Sequence, residues 1–166
     1  MGPPFHPLTD EWHSSSRMTA SSRDSSDPFR LERFVTAQAA TYRRVIAELE
    51  AGEKASHWMW FIFPQIRGLG RSSTAREFAI SGRDEAQAYL RHSILGPRLI
   101  ECTELVLRVR GRSLSEIFGS PDDMKFCSSM TLFAQVSPEH AIFSEAIRRY
   151  CDGNFDPLTL QELSGK

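Results

Sequence analysis

The segment from Ser56 to Gln65 reads SHWMWFIFPQ and contains two of the three tryptophans of this 166-residue chain. Apolar side chains fall on every side of a helix drawn through it, so other elements have to cover it all round. Ser56 can cap the start of this helix. Pro64 ends it early, because proline lacks an amide hydrogen and disfavours helical angles in the residue before it. We therefore predict a short, buried helix at the centre of the fold, with polar residues at both ends.

Helical patterns flank this segment on both sides. Apolar residues recur at intervals of three and four from Leu31 until Gly52, and Asp27-Pro28 is a helix-start signal ahead of them. Serine caps mark the starts of helices later in the chain, as in the capping box that opens at Ser113. No stretch shows the sustained alternation that is typical of strands. The prediction is an all-α fold, a single compact multi-helical domain of about seven or eight helices.

The first 27 residues differ in composition from the rest of the chain. They include seven serines and few apolar residues, so they cannot bury enough surface to offset the entropy of ordering. We predict a disordered N-terminal tail over residues 1–27 and one all-α domain over residues 28–166.

Charge and cysteine content limit the function classes. Lys and Arg together number 20 against 21 Asp and Glu, so no overall basic field is available to bind nucleic acid or a membrane. No apolar run is long enough to span a bilayer. The cysteines Cys102, Cys127 and Cys151 are odd in number and widely spaced, which fits reduced thiols in a cytosol. We predict a cytoplasmic protein without nucleic-acid or membrane partners, without a cofactor and without a metal site.

Three titratable side chains are the candidate catalytic residues: His57, Glu101 and Lys125. His57 lies near a predicted helix start, where the helix dipole favours the neutral ring that a general base needs. Glu101 can face Arg98 across one helical turn. Lys125 lies near a helix N-terminus, where the dipole offers a cation no benefit. Each residue also has a structural alternative that stays open. His57 can be a structural histidine bonded to a carbonyl, Glu101 and Arg98 can be an exposed ion pair, and Lys125 can cover apolar surface with its methylene groups.

Six further residues are candidate ligand contacts. Aromatic rings can stack on a base, and an amide can hydrogen-bond a ribose or a base edge. The loop around Gly68 and Gly70 can expose amides to an anion, although a plain turn with serine caps explains the same residues. The predicted ligand-binding residues are Trp58, Trp60, Gln65, Arg71, Arg98 and Ser129.

Five stretches of the chain resemble a known family. They are Phe29–Phe34, Ser56–Gln65, Gly68–Gly70, Leu95–Leu99 and Phe118–Phe133. Together they resemble the domain-of-unknown-function family eighteen-ten, whose members are sometimes labelled calpastatin. The resemblance extends from Phe29 to about Leu163. It implies a multi-helical fold and no established activity.

A shorter similarity points to chemistry. Lys125, Phe126 and Leu132 are similar to the Lys-Phe-x-Gln-Asn-x-x-Leu motif of the NADAR family, all-helical proteins of NAD and ADP-ribose metabolism that cleave N-glycosidic bonds. Ser128 and Ser129 replace the Gln-Asn pair, so only Lys125 and Phe126 carry over.

Two functional hypotheses follow. The first is an aromatic-lined ligand pocket, with N-glycosidase or ADP-ribosyl-type hydrolase activity on a nucleotide-like ligand. The alternative is a non-catalytic protein-interaction module, in which the Trp-rich segment is simply core and an exposed helical face binds a partner.

Overall fold

The computed structural model describes residues 26–165 of the chain. Ten α-helices and no β-strand lie between residues 27 and 165, and one isolated parallel bridge joins Ile66 to Ile80. The all-α prediction is confirmed, with slightly more helices than the seven or eight expected. The helices are α1 (Glu32–Ala39), α2 (Tyr42–Ala51), α3 (Met59–Ile62), α4 (Ser73–Glu77), α5 (Arg83–Arg91), α6 (Leu95–Arg108), α7 (Leu114–Phe118), α8 (Asp122–Val136), α9 (Ala141–Tyr150) and α10 (Pro157–Ser164).

The described chain divides into a short unit, residues 26–32, and a larger one, residues 33–165. In the short unit, the Asp27 carboxylate accepts hydrogen bonds from the amides of Leu31 at 2.7 Å and Glu32 at 3.0 Å. Arg30 has a φ of 53°, which a helix does not allow, so the helix begins at Glu32 and not at Asp27. Apart from its last two residues, the predicted disordered tail lies outside the described residues, and the division at residue 28 stays a prediction.

The long first helix expected from the apolar pattern is broken into α1 and α2. The Thr41 amide bonds the Gln38 carbonyl at 3.0 Å, and the Thr41 hydroxyl bonds the Ala37 carbonyl at 3.3 Å. These bonds tighten the backbone at the junction, and threonine is a residue whose side chain competes for such carbonyls. The predicted stop at Gly52 is confirmed, since Gly52 closes α2 in the left-handed conformation.

Helix α8 is the central element of the larger unit. It is apolar on most sides and contacts α5, α7, α9 and α10. The rings of Phe126 from α8, Phe118 from α7 and Phe63 beyond α3 pack together, and the Trp58 ring contacts the last two. Trp58 and Phe63, which flank α3, are both 1% exposed, whereas Trp60 and Phe61 on the helix are half-buried, so the prediction of a buried helix is confirmed only in part.

Two of the three cysteines form a disulfide, so the prediction of reduced thiols is wrong for them. Cys127 of α8 bonds Cys151 at the end of α9, and only Cys102 is free. Packing of α8 against α9 brings the two Cα atoms within 6.0 Å, a separation that a disulfide can bridge. Disulfides are typical of oxidising compartments. The cytoplasmic location, which rested partly on reduced thiols, stays a prediction.

Within residues 26–165, none of the helices combines the length and the apolarity that a bilayer crossing requires.

Candidate functional site

Asp122, the first residue of α8, lies between two lysine side chains. Its Oδ2 atom is 2.9 Å from Nζ of Lys54, and its Oδ1 atom is 3.7 Å from Nζ of Lys125. We call Lys54, Asp122 and Lys125 the lysine cluster. Because two ammonium groups oppose one carboxylate, the cluster carries one net positive charge.

Local structure explains how the cluster forms. Gly52 ends α2, and the amide of Lys54 then donates to the Ile117 carbonyl of α7 at 2.7 Å, which fixes this segment beside the start of α8. Lys125 follows Asp122 by three residues, so the two side chains share a face of the helix.

The two lysines also lie over the rings of Trp58 and Trp60. Nζ of Lys54 is 5.2 Å from the Trp58 ring centroid, and Nζ of Lys125 is 5.5 Å from that of Trp60, both within cation–π range. Trp58 is buried and cannot stack on a ligand, whereas Trp60 is half-buried. Of the two rings predicted to hold a base, the structure therefore leaves Trp60 accessible.

The buried Trp58 is anchored by Glu48, a residue that the sequence did not single out. The Glu48 carboxylate accepts hydrogen bonds from Trp58 Nε1 at 2.8 Å, from Ser56 Oγ at 2.6 Å and from the Ala55 amide at 2.8 Å. Partial burial opposes ionisation, but these hydrogen bonds outweigh it and lower the pKa of Glu48 below its usual value. Ser56 was predicted to cap α3; its hydroxyl instead donates to Glu48, and Trp58 occupies the cap position.

Gln65 and Trp60 line the same small cavity, together with Phe78 of the α4–α5 connection. Its volume is about 20 Å³, which holds roughly one water molecule. Ligand pockets are typically about 300–1,000 Å³. A nucleotide at this position would therefore have to bind over the surface of Trp60 and not inside the cavity.

The glycine loop before α4 is less suited to an anion than its sequence suggests. Arg71 is exposed. A Cβ atom on Gly68 would lie 2.8 Å from the carboxyl carbon of Glu162, so an acidic group of α10 lies directly beside the loop. A Cβ on Gly70 would lie 2.6 Å from Cβ of Ala75, which explains that glycine by close packing. The serine-capped turn is supported, since Ser72 accepts from the Ala75 amide.

Glu101 and Arg98 belong to a separate cluster around Tyr42. The Tyr42 hydroxyl donates to Glu101 Oε1 at 2.6 Å, and the Arg98 guanidinium lies 4.4 Å from the Tyr42 ring centroid. Arg98 also donates to the buried Gln38 at 3.2 Å. Burial, the adjacent Cys102 thiol and Glu101 all raise the pKa of Tyr42, so it stays a protonated donor to Glu101.

Two other predicted residues stand apart. His57 is exposed, and its side chain makes no hydrogen bond, ion pair or ring contact within residues 26–165. Ser129 is fully buried, and its hydroxyl has no hydrogen-bond partner among the residues that the structure describes.

The structure thus brings together only part of the predicted site. Lys125 contacts Trp60, and Trp60 shares a cavity with Gln65. In the described part of the chain, no side-chain hydrogen bond, ion pair or ring contact joins these three to the remaining predicted residues Trp58, Glu101, Arg98, Arg71, His57 and Ser129. Sequence reasoning missed Asp122 and Lys54. The three-residue spacing of Asp122 and Lys125 was a usable signal, whereas nothing in the sequence links Lys54 to either.

Comparison with known proteins supports the predicted family. The family described as "Protein of unknown function (DUF1810)" matches residues 28–163. The chain is also similar to the crystal structure of the conserved hypothetical protein Rv1873 from Mycobacterium tuberculosis, with 56% sequence identity and a TM-score of 0.82. That match covers 83% of this chain and 99% of the other. No curated protein matches the chain.

Neither match concerns a NADAR protein, so that similarity stays a prediction from Lys125, Phe126 and Leu132. The family match spans most of the sequence and includes both the lysine cluster and the tryptophan segment. The chain belongs to the DUF1810 family of proteins of unknown function.

Proposed function

We propose that the lysine cluster and Trp60 form a binding site for an anionic, nucleotide-like ligand. The observation that carries the proposal is the charge balance around Asp122, whose single carboxylate faces ammonium groups at 2.9 and 3.7 Å. These three side chains together carry one net positive charge beside a half-buried indole ring. A phosphate and a planar base are the two chemical groups that such a surface complements.

Lys125 is the lysine better placed to reach a ligand. Its side chain is 27% exposed, against 9% for Lys54, and it lies farther from Asp122. Its contact with the Trp60 ring is worth about 0.5–1 kcal/mol at an exposed site. A ligand that presents phosphate to the ammonium group and a base to the indole can replace this contact at little cost.

Gln65 adds a polar group beside the same ring. Its amide offers both donors and an acceptor, which suits a ribose hydroxyl or a base edge. Because the adjoining cavity holds only about one water molecule, the ligand would cover this rim and not enter it.

Hydrolysis of an N-glycosidic bond is the reaction we propose to test at this site. Such a reaction builds positive charge on the sugar ring, and a carboxylate beside the ring stabilises that charge. Asp122 is the carboxylate in contact with Lys125, whereas Glu101 pairs with Tyr42. Two ammonium groups already oppose Asp122, so ligand binding is the better supported part of the proposal, and turnover is a second part to be measured separately.

The experiment is isothermal titration calorimetry of the full chain with ADP-ribose, NAD, ADP and adenosine, followed by chromatography of each mixture for released base. We expect the phosphate-bearing ligands to bind more tightly than adenosine. Failure of all four to bind would overturn the ligand site. Binding without release of base would overturn only the hydrolase part.

A second candidate function is the non-catalytic interaction module. It is favoured because the Trp58 and Phe63 rings are core and because the polar side chains of Gln38 and Glu48 are satisfied by hydrogen bonds within the protein. In that case Lys125→Met would alter only stability, and no nucleotide would bind. The same calorimetry, with a thermal melt of the variant, separates the two candidates.

A further inference from the structure

A groove of about 320 Å³ lies where α7, α8 and the segment after α9 meet. Leu114, Met124 and Phe155 line it, together with the Cys127–Cys151 disulfide. We call this feature the disulfide groove. Neither Trp60 nor any member of the lysine cluster lines it, so it is a surface distinct from the proposed ligand site.

Exposed apolar side chains are concentrated at this groove. Four large hydrophobic residues are exposed within residues 26–165, and two of them, Met124 at 68% and Phe155 at 40%, line the groove. A third, Leu158 at 59%, directly follows the lining residue Pro157. The fourth, Ile94, does not line it. Contiguous exposed apolar surface in a folded protein marks an interaction site more often than isolated exposed residues do.

The rim of the groove is acidic. Asp123, Asp152 and Asp156 line it, and the lining contains no Lys, Arg or His. One cation adjoins it, since the Arg149 guanidinium lies 5.3 Å from the ring centroid of the lining residue Tyr150. Aspartates are anionic at neutral pH. The chain as a whole is nearly neutral, with a formal net charge of −1, so this negative charge is a local feature. It complements a cationic partner and opposes an anionic membrane or a nucleic acid.

The groove is held in place from several sides. The disulfide ties α8 to the end of α9. The Asp156 carboxylate accepts hydrogen bonds from the Thr159 amide at 3.0 Å and from Ser128 Oγ at 3.1 Å, and the Asp156 amide donates to Thr131 Oγ1 at 2.9 Å. A surface fixed before binding reduces the ordering cost that a partner has to overcome.

We propose that the disulfide groove binds a segment of a partner protein that carries a bulky apolar side chain next to Lys or Arg residues. The apolar side chain packs between Met124 and Phe155, and methionine adapts its shape to different partners. The basic residues pair with the carboxylates of the rim. This function lies beyond nucleotide binding and does not depend on it.

The test is fluorescence anisotropy of the full chain, without reductant, with two labelled peptides of equal length, one of Leu and Lys and one of Leu and Glu. We expect the Leu–Lys peptide to bind, with an affinity that falls as salt is added, and the Leu–Glu peptide not to bind. Met124→Gln should weaken binding by about tenfold or more, because it places a polar amide in the apolar part of the groove without adding a charge. Ile94→Gln is the matched control and should leave binding unchanged.

Asp152→Asn tests the acidic rim. Asp152 has a φ of 57°, a conformation that asparagine also accepts, so this variant keeps the backbone while removing the charge. It should weaken binding of the Leu–Lys peptide and make the affinity depend less on salt.

Several results would overturn the proposal. They are no binding of either peptide, equal binding of both, or an unchanged affinity in Met124→Gln. Sedimentation that shows a dimer broken by Met124→Gln, without peptide binding, would assign the groove to a second copy of the chain instead. Met124→Gln adds no charge beside Lys125 and should keep any ADP-ribose binding of the wild-type chain, so failure of the groove and failure of the ligand site are distinguishable.

Discussion

The ammonium group of Lys125 lies 5.5 Å from the centroid of the Trp60 ring and 3.7 Å from a carboxylate oxygen of Asp122. This arrangement gives a physical reason for a lysine in the first turn of α8, where the helix dipole offers a cation no benefit. The carboxylate and the ring quadrupole supply the negative potential that the helix end lacks. Lys125 is thus held by two modest attractions and remains partly exposed to solvent.

Replacement of Asp122 by asparagine should strengthen anion binding. The substitution raises the net charge of the lysine cluster from one to two while it keeps the side chain nearly the same size. We expect ADP-ribose to bind a few-fold more tightly, and the protein to lose about 1–3 kcal/mol of stability because Lys54 loses its close partner. Calorimetry and urea denaturation measure the two effects. Weaker binding in Asp122→Asn would argue that the carboxylate itself contacts the ligand.

Replacement of Glu48 by alanine should destabilise the protein. The substitution leaves the buried indole N–H of Trp58 and the hydroxyl of Ser56 without their acceptor. An unsatisfied buried donor costs about 1–3 kcal/mol. Urea denaturation should show this loss. Glu50→Ala, an exposed glutamate on the same helix, is the control and should have little effect.

The contribution of Glu48 should depend on pH. Hydrogen bonds hold its folded-state pKa below the usual value of 4.5, so the unfolded chain takes up a proton first as the pH falls. The stabilisation is present above about pH 4.5 and is lost as the pH falls through the folded-state pKa. The stability difference between wild type and Glu48→Gln should therefore shrink below pH 4.5. A difference that stays constant between pH 7 and pH 3 would contradict this assignment.

Cys102 should be unreactive in the folded protein. Burial raises the pKa of its thiol to about 12, so almost no thiolate is present at neutral pH. Without reductant, a thiol reagent should label no cysteine in the native state and one per chain in denaturant, because Cys127 and Cys151 are joined. Three labelled cysteines in unreduced denatured protein would show that the disulfide does not form.

Local signals in the sequence predicted much of the fold. The capping box at Ser113 forms, whereas Pro121 holds the cap position of α8 (Asp122–Val136) and no serine side chain caps that helix. Local signals failed where side chains from distant segments compete. Ser56 bonds Glu48 and does not cap α3, and Cys127 meets Cys151 because two helices pack together. Neither pairing has a signature within a few residues.

The candidate site was predictable in part. Lys125, Trp60 and Gln65 were identified by residue type and position, and the structure places them together. Glu101 was expected to face Arg98, but both side chains contact Tyr42. Lys54 follows Gly52 in an unremarkable turn, and only tertiary packing brings it to Asp122.

The most direct test of the ligand site is calorimetric titration of ADP-ribose into wild type, Lys125→Met and Arg43→Met. Methionine is similar in length to lysine and can pack against the Trp60 ring, but it carries no charge. Arg43, an exposed cation on α2, serves as the matched control. Loss of one charged hydrogen bond costs about 1.5–3 kcal/mol. We predict that Lys125→Met stays folded and binds about tenfold more weakly or worse, while Arg43→Met binds like wild type. Equal affinity in all three proteins, or no binding by wild type, would contradict the account.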